Sequence, residues 1–210
     1  MTKMNRVTPE VLERSWEVEP TDPSLIARLK SGDAIAFDVV YARWRARIFS
    51  FLVRQLGDRA LAEDLLQETF LRLAAHRSRL RDDTDLGAWL FTVARRLAVT
   101  HARWRSVTRW AFGVLRRADA QRTSAPSEIL ASNESMAQLE SALAGLAGPY
   151  REVLLLMAIE GLEPSQAAAV IGIRPDALRK RLSRARALLS AALGEETAAP
   201  VLFLRQGKKR

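Results

Sequence analysis

The sequence predicts an all-α fold made of two small helical domains joined by a flexible linker. Three observations carry that expectation. Apolar residues recur three and four apart in each long patterned segment, and no stretch alternates apolar and polar residues over a strand's length. Near the middle of the chain the period dissolves into Gly, Ser and Pro among scattered arginines. At 210 residues and 48% hydrophobic content, the chain is long enough for one medium domain or two small ones with packed cores.

Residues 1–21 read as an N-terminal arm, with Lys3, Arg6 and Arg14 set against Glu10, Glu13, Glu17 and Glu19 and few apolar anchors. Asp22-Pro23 supplies a cap and a proline at the first helical position, and Ser31-Gly32 closes that short helix. Asp33 can cap the next helix, a long one whose Val40, Tyr41, Trp44, Ile48, Phe51, Leu52 and Leu56 fall on one buried face. Gly57-Asp58 breaks it and caps a third helix, with Leu61, Leu65, Leu66, Thr69, Phe70 and Leu73 turned inward. The polar loop HRSRLRDDTD leads to a fourth helix opening near Asp85, with Leu86, Trp89, Leu90, Val93 and Leu97 as its inner stripe. These elements make a first domain over 22–104.

Residues 105–133 read as the linker, with a short helical piece at Trp110 to Leu115. A second domain over 134–194 then carries helices at Leu139 to Leu146, Tyr150 to Glu160, Ser165 to Ile171 and Pro175 to Leu193, followed by a basic tail over 195–210.

Charge narrows the function. The 33 Lys and Arg against 24 Asp and Glu give a net +9, and the pI is near 10.9. Nucleic acid and anionic membrane surfaces are the first partners such a balance suggests. The longest unbroken hydrophobic stretch, Val153 to Ile159, falls far short of the ~20 residues of a membrane helix, so the expectation is a soluble, cytoplasmic protein with no membrane insertion. No Cys and only His76 and His101 exclude disulfides, thiolate metal sites and histidine-rich metal centres. Asp64 and Glu68, or Asp82, Asp83 and Asp85, could ligate a hard cation, but no histidine accompanies them at ligand spacing and no Gly-rich phosphate loop follows a strand, so neither a cofactor nor an enzyme activity is expected.

Three constellations remain. GLEPSQAAAVIGIRPDALRKRL, residues 161–182, has helix-turn-helix spacing: Ala168 at a close helix crossing, Gly172 as left-handed turn residue, Ile173 at the corner, Leu178 and Leu182 as anchors. Its second helix exposes Asp176, Arg179 and Lys180 first, where Arg179 suits guanine and Asp176 suits cytosine, while Arg174, Arg181, Ser183, Arg184 and Arg186 suit phosphates. The plain alternative is a helical hairpin with a solvated basic face. In AEDLLQETFLRL, residues 62–73, Asp64, Gln67 and Glu68 share the outward face; an acidic stripe in a basic protein suggests docking to a basic partner, against the alternative of simple solvation. Residues 95–117 hold seven Arg and no acid, with Trp89, Trp104 and Trp110 nearby, a combination suited to single-stranded DNA in which Trp104 is the candidate for exposure and Trp89 belongs to the core.

In that order and spacing, GDAIAFDVVYARW, LGDRALAEDLLQETFLRL, LGAWLFTVARRLAVTHAR and YREVLLLMAIEGLEPSQAAAVIGIRPDALRKRLSRARALL resemble a sigma factor of bacterial RNA polymerase, of the small extracytoplasmic-function type of the sigma-70 family. The resemblance covers residue 24 to about residue 193. It implies that Asp64, Gln67 and Glu68 dock on the beta-prime clamp helices of core polymerase, and that Arg79 to Arg105, with Arg95, Arg96, Arg103 and Trp104, capture the minus 10 strand. It further implies that the second domain binds the minus 35 element of promoter DNA through Arg174, Asp176, Arg179, Lys180, Ser183 and Arg184 while touching the beta flap. An anti-sigma factor is a further implied partner. The chain departs from the family at Arg95-Arg96, where Arg-Asn is frequent, in the acidic loop RLRDDTDLG, and at Arg174-Pro175-Asp176. The competing readings are a stand-alone helix-turn-helix regulator with a protein-binding first domain, and a helical interaction adaptor that binds no DNA.

Overall fold

The computed structural model describes residues 23–111 and 134–193, with side chains described over 24–104 and 136–193. The N-terminal arm, the middle of the linker and the basic tail lie outside the described residues, as does Asp22. Among the described residues the chain is helical and forms no strand. The helices are α1 (Pro23–Ser31), α2 (Ala34–Leu56), α3 (Arg59–His76), α4 (Leu86–Ala111), α5 (Glu134–Gly145), α6 (Gly148–Leu154), α7 (Pro164–Ile171) and α8 (Pro175–Leu193).

The starts follow local chemistry. Asp33 accepts from the backbone N–H groups of Ile35 (2.9 Å) and Ala36 (3.4 Å), and Asp58 accepts from Leu61 N–H (3.1 Å), each satisfying donors that a helix leaves orphaned. Gly57 ends α2 at φ 68°, its N–H donating to Val53 O at 2.8 Å. Asp85 Oδ1 accepts from Ala88 N–H at 2.9 Å and opens α4. That helix runs through Ala111, past the point where the sequence pattern places the start of a linker at 105. The physical reason is that RSVTRWA contains neither Gly nor Pro, so nothing local stops the helix where its apolar period gives out. Of the short piece expected at Trp110 to Leu115, Trp110 and Ala111 are the end of α4 and the rest lies outside the described residues.

The first domain packs α2, α3 and α4 around Ile48, Phe51, Leu52, Leu73, Leu86 and Leu90, all essentially solvent-free. Phe91 makes edge-on contacts with Trp44 (6.2 Å) and Phe51 (5.5 Å). At Gly87, α4 lies against the Trp44 ring so closely that an added Cβ would sit 2.3 Å from it. Tyr41, expected on the buried face, is 39% exposed; its ring lies edge-on to Phe70 at 4.8 Å, at the rim of the core. Trp89 and Val93 are half-buried.

In the second domain α6 passes directly into one π turn, Leu155–Ile159, closed by Glu160 N–H donating to Leu155 O at 2.9 Å. The turn between α7 and α8 follows the expected chemistry. Gly172 stands at φ 75° and its N–H donates to Ala168 O (2.8 Å), as does that of Ile173 (3.0 Å), while Ala168, Leu178, Ala185 and Leu189 are buried.

The two domains are not apart. Their buried side chains form one contiguous core, with α7 lying against α4 and α6 reaching α2.

Candidate functional site

On α3, Asp64 and Gln67 are exposed and Glu68 is half-exposed on the same face, Glu68 accepting from Arg72 Nε at 2.8 Å. The structure adds Leu71, which follows Asp64, Gln67 and Glu68 on that stripe and is 64% exposed. Pattern reading missed it. The available signal was an apolar residue four after Gln67, on the polar side of an amphipathic helix.

The acids of the loop before α4 are engaged rather than bare. Lys30 Nζ lies 2.6 Å from Asp82 Oδ1, Arg81 holds Asp83 through two bonds of 3.0 Å, and Asp85 caps α4. The Arg81 guanidinium keeps the Asp83 carboxyl below its ordinary pKa, chiefly by hydrogen bonding.

On α4 the four residues expected to meet single-stranded DNA divide. Arg96, Arg103 and Trp104 are exposed on one face, Trp104 at 72%. Arg95 belongs to another face, shared with Phe91, Ala94 and Ala98, and its Nε donates to Glu152 Oε1 at 2.7 Å. That glutamate, from α6, is 4% exposed.

Further polar links join the domains. Arg47 lies 4.5 Å from the Trp44 ring centroid, donates through Nε to Glu160 Oε2 at 2.9 Å and through Nη2 to Glu160 O at 2.6 Å. Burial raises the Glu160 pKa, and the Arg47 hydrogen bond and charge only partly oppose it. Arg54 donates to Glu140 at 2.8 Å. Arg151 donates to the carbonyls of Leu143 (2.9 Å), Ala144 (2.6 Å) and Leu146 (2.8 Å) at the end of α5, and to that of Gln55 (3.2 Å) at the end of α2. Gln166 accepts from Glu163 N–H at 2.7 Å, capping α7, and donates to Asp85 Oδ2.

Arg174, just before α8, and Asp176, Arg179, Lys180, Ser183 and Arg184 on it are all exposed. Asp176, Arg179, Lys180 and Ser183 share a face, and Arg179 is paired with Asp176, both about 70% exposed. Magnitudes separate the two helices. An exposed pair of that kind is worth roughly 0–1 kcal/mol, less than the roughly 1–3 kcal/mol of a bidentate base contact, so DNA can displace it. Taking Arg95 from buried Glu152 strands a buried charge at a cost of roughly 3–5 kcal/mol, more than one DNA contact returns. Among the described residues no cluster of three or more metal-ligating side chains occurs.

An all-helical protein carrying a helix-turn-helix with a solvent-facing basic helix defines a class of double-stranded DNA readers. Comparison with known proteins gives the family: sigma-70 region 2 matches residues 40–108 and sigma-70 region 4 matches residues 136–189. The chain is 33% identical over 171 residues to the RNA polymerase sigma factor CarQ of Myxococcus xanthus, covering 80% of this chain and 95% of that one. It is 30% identical to the sigma factor CnrH of Cupriavidus metallidurans over 85% of this chain and 97% of the relative, and 30% identical to the ECF sigma factor SigL of Mycobacterium tuberculosis over 79% and 93%. Among solved structures, CnrH in complex with the cytosolic domain of CnrY superposes with a TM-score of 0.62 at 28% identity, over 82% of this chain and 97% of that one. The sigma factor RpoE of Bartonella quintana, bound to the anti-sigma factor NepR, gives 0.62 at 26% identity over 73% and 93%. The chain belongs to the sigma-70 family of RNA polymerase sigma factors, in its extracytoplasmic-function group.

Proposed function

We propose that this protein is the promoter-specificity subunit of a bacterial RNA polymerase, acting in the cytoplasm without catalysis of its own. Its first domain docks on core polymerase through Asp64, Gln67 and Glu68 of α3 and takes the minus 10 strand on α4, where Arg96, Arg103 and Trp104 form the exposed part of the surface. Its second domain reads minus 35 duplex with Asp176, Arg179 and Lys180, while Arg174, Ser183 and Arg184 hold phosphates. The domain limits adopted are 22–104 and 134–194.

The observation that carries this reading is the succession, in one chain, of the region 2 and region 4 matches. The exposed ridge on α3 and the exposed basic face on α8 give each half a surface of opposite sign, which suits one half to a protein and the other to DNA. Two modest contacts on one chain gain effective concentration once the first is made. Because the similar sigma factors CnrH and RpoE have been solved with CnrY and with the anti-sigma factor NepR, an anti-sigma protein is the proposed regulator here too.

Run-off transcription with purified core enzyme tests the reading: the chain should direct initiation from promoters that core alone ignores. A chain that shifts duplex DNA while leaving core inactive would instead be a stand-alone regulator. Asp64→Lys should weaken core association by at least about tenfold, one lost interfacial contact of roughly 1.4 kcal/mol, with stability within about 0.5 kcal/mol of the parent.

A further inference from the structure

The first domain carries an open groove where the end of α1, the start of α2 and the end of α3 meet. Leu29, Ala34, Phe37 and Ala74 give it apolar walls, and Asp38 on α2 and Arg77 just past α3 carry charge at its rim. Asp33 also faces it but is already held by Arg28 at 2.7 Å. Its volume of about 240 Å³ is below the roughly 300–1,000 Å³ of sites built for small-molecule ligands, which suits it to one large side chain. Arg77 donates through Nη1 to Ala74 O at 2.5 Å. Its guanidinium also lies over Gly32, where an added Cβ would stand 3.5 Å from Nε and Nη2. A guanidinium has five donors, so N–H groups remain for a carboxylate. Asp38 is exposed at the other wall.

The segment that runs into α1 contains a side chain of the right kind. Within residues 1–22 the one aromatic is Trp16, with Leu12 four before it, Arg14 two before it, and Glu17, Val18 and Glu19 after it. Residues 17–22 separate Trp16 from Pro23, a reach of up to roughly 20 Å. Helix α1 rises only about 9 Å between Pro23 and Leu29, so Trp16 can turn back along α1 and arrive at the groove. The arm and the groove's α1 and α2 walls all precede residue 40, where the region 2 match begins.

We propose that the N-terminal arm docks on its own first domain, with Trp16 in this groove, Arg14 beside Asp38, and Glu17 and Glu19 toward Arg77. An aromatic anchor in an apolar pocket supplies most of the energy of such a contact, and the flanking opposite charges fix its direction. Ala74 follows Gln67 by seven residues and Leu71 by three, on the same side of α3, so the docked arm borders the α3 ridge. Docking requires neither polymerase nor DNA.

Trypsin cleavage after Arg14, two residues before Trp16, reads the docking in the full-length protein, with products followed by intact mass and normalised to cleavage after Lys3. A docked arm is cut only while it is free, so the rate reports the open fraction. The expected result is that the parent is cut at Arg14 at least about tenfold more slowly than Trp16→Ala, which lacks the anchor, and than Ala74→Glu, which fills the groove with a carboxylate close to Arg77 and adds no trypsin site. Equal rates in all three overturn the proposal. Protection that survives in Trp16→Ala overturns the role of the tryptophan, and protection that fades on dilution means that the arm lies in the groove of a second copy, which overturns docking within one chain. Should Ala74→Glu lose the helical circular dichroism of the parent, Ala34→Glu blocks the groove from an exposed position on α2 and is judged by the same outcomes.

Discussion

The helices α4 and α8 are both long and arginine-rich, yet they sit in the molecule on different terms. On α8, Leu178, Ala185 and Leu189 anchor one side and the basic residues occupy the other, so a single apolar stripe accounts for the whole helix. On α4, Leu86, Leu90 and Leu97 make the expected stripe, but Phe91, Ala94 and Ala98 are buried as well. A helix covered on two sides has little surface left for a ligand. The lesson is that an arginine on a basic helix becomes a binding group only if its neighbours in the fold leave it one.

The largest effect that sharpens this contrast comes from trimming one arginine on each helix. Arg95→Ala should cost about 3 kcal/mol in chemical denaturation, because it strands buried Glu152, whereas Arg184→Ala should stay within about 0.5 kcal/mol. Equal losses would mean that the two helices are held alike. Next come the glycines. An alanine Cβ at Gly87 meets the buried Trp44 ring and should cost about 2–3 kcal/mol by overpacking, while at Gly172 it meets nothing within 4 Å and carries only the left-handed backbone penalty of about 1–2 kcal/mol. Melting temperatures of the two variants should therefore rank in that order. A smaller effect, absent from stability, is expected at Arg179→Ala: about 1–2 kcal/mol less discrimination among minus 35 duplexes in competition binding, with the melting temperature unchanged.

The smallest is a pH slope. Burial raises the Glu160 pKa in the folded protein, so the folded state binds more protons than the unfolded one between the ordinary value of 4.5 and the raised one. The contribution of Glu160 is therefore most favourable at acid pH and is lost as pH rises through the folded pKa. Glu160→Gln removes the slope, and its melting temperature should gain on the parent as pH rises from 4.5 toward neutrality. A constant difference would contradict the shift.

Much of this was legible in the sequence because it is local. Asp33 and Asp58 cap helices within three residues of themselves, and Gly172 sets the corner between α7 and α8 within a window of a few residues. The face shared by Asp64, Gln67 and Glu68 follows from helical geometry alone. The features that stayed hidden depend on partners distant in the chain. Glu152 and Glu160 flank an apolar run, and nothing near them in the sequence announces Arg95 and Arg47, which reach them from the other domain. Tyr41 kept the spacing of the core stripe and still surfaced, since the spacing fixes a direction and not how far the neighbouring helix extends. The eight apolar or small residues at 86, 89, 90, 91, 93, 94, 97 and 98 did hold a signal of double burial, because they exceed the number one stripe requires.

Asp85 uses one carboxylate oxygen to start α4 and the other to receive Gln166, whose own carbonyl starts α7. Two helix beginnings from opposite halves of the chain thus share a single side chain. Replacing that aspartate would remove the cap of α4 and, with the same change, the support of the side chain that caps α7.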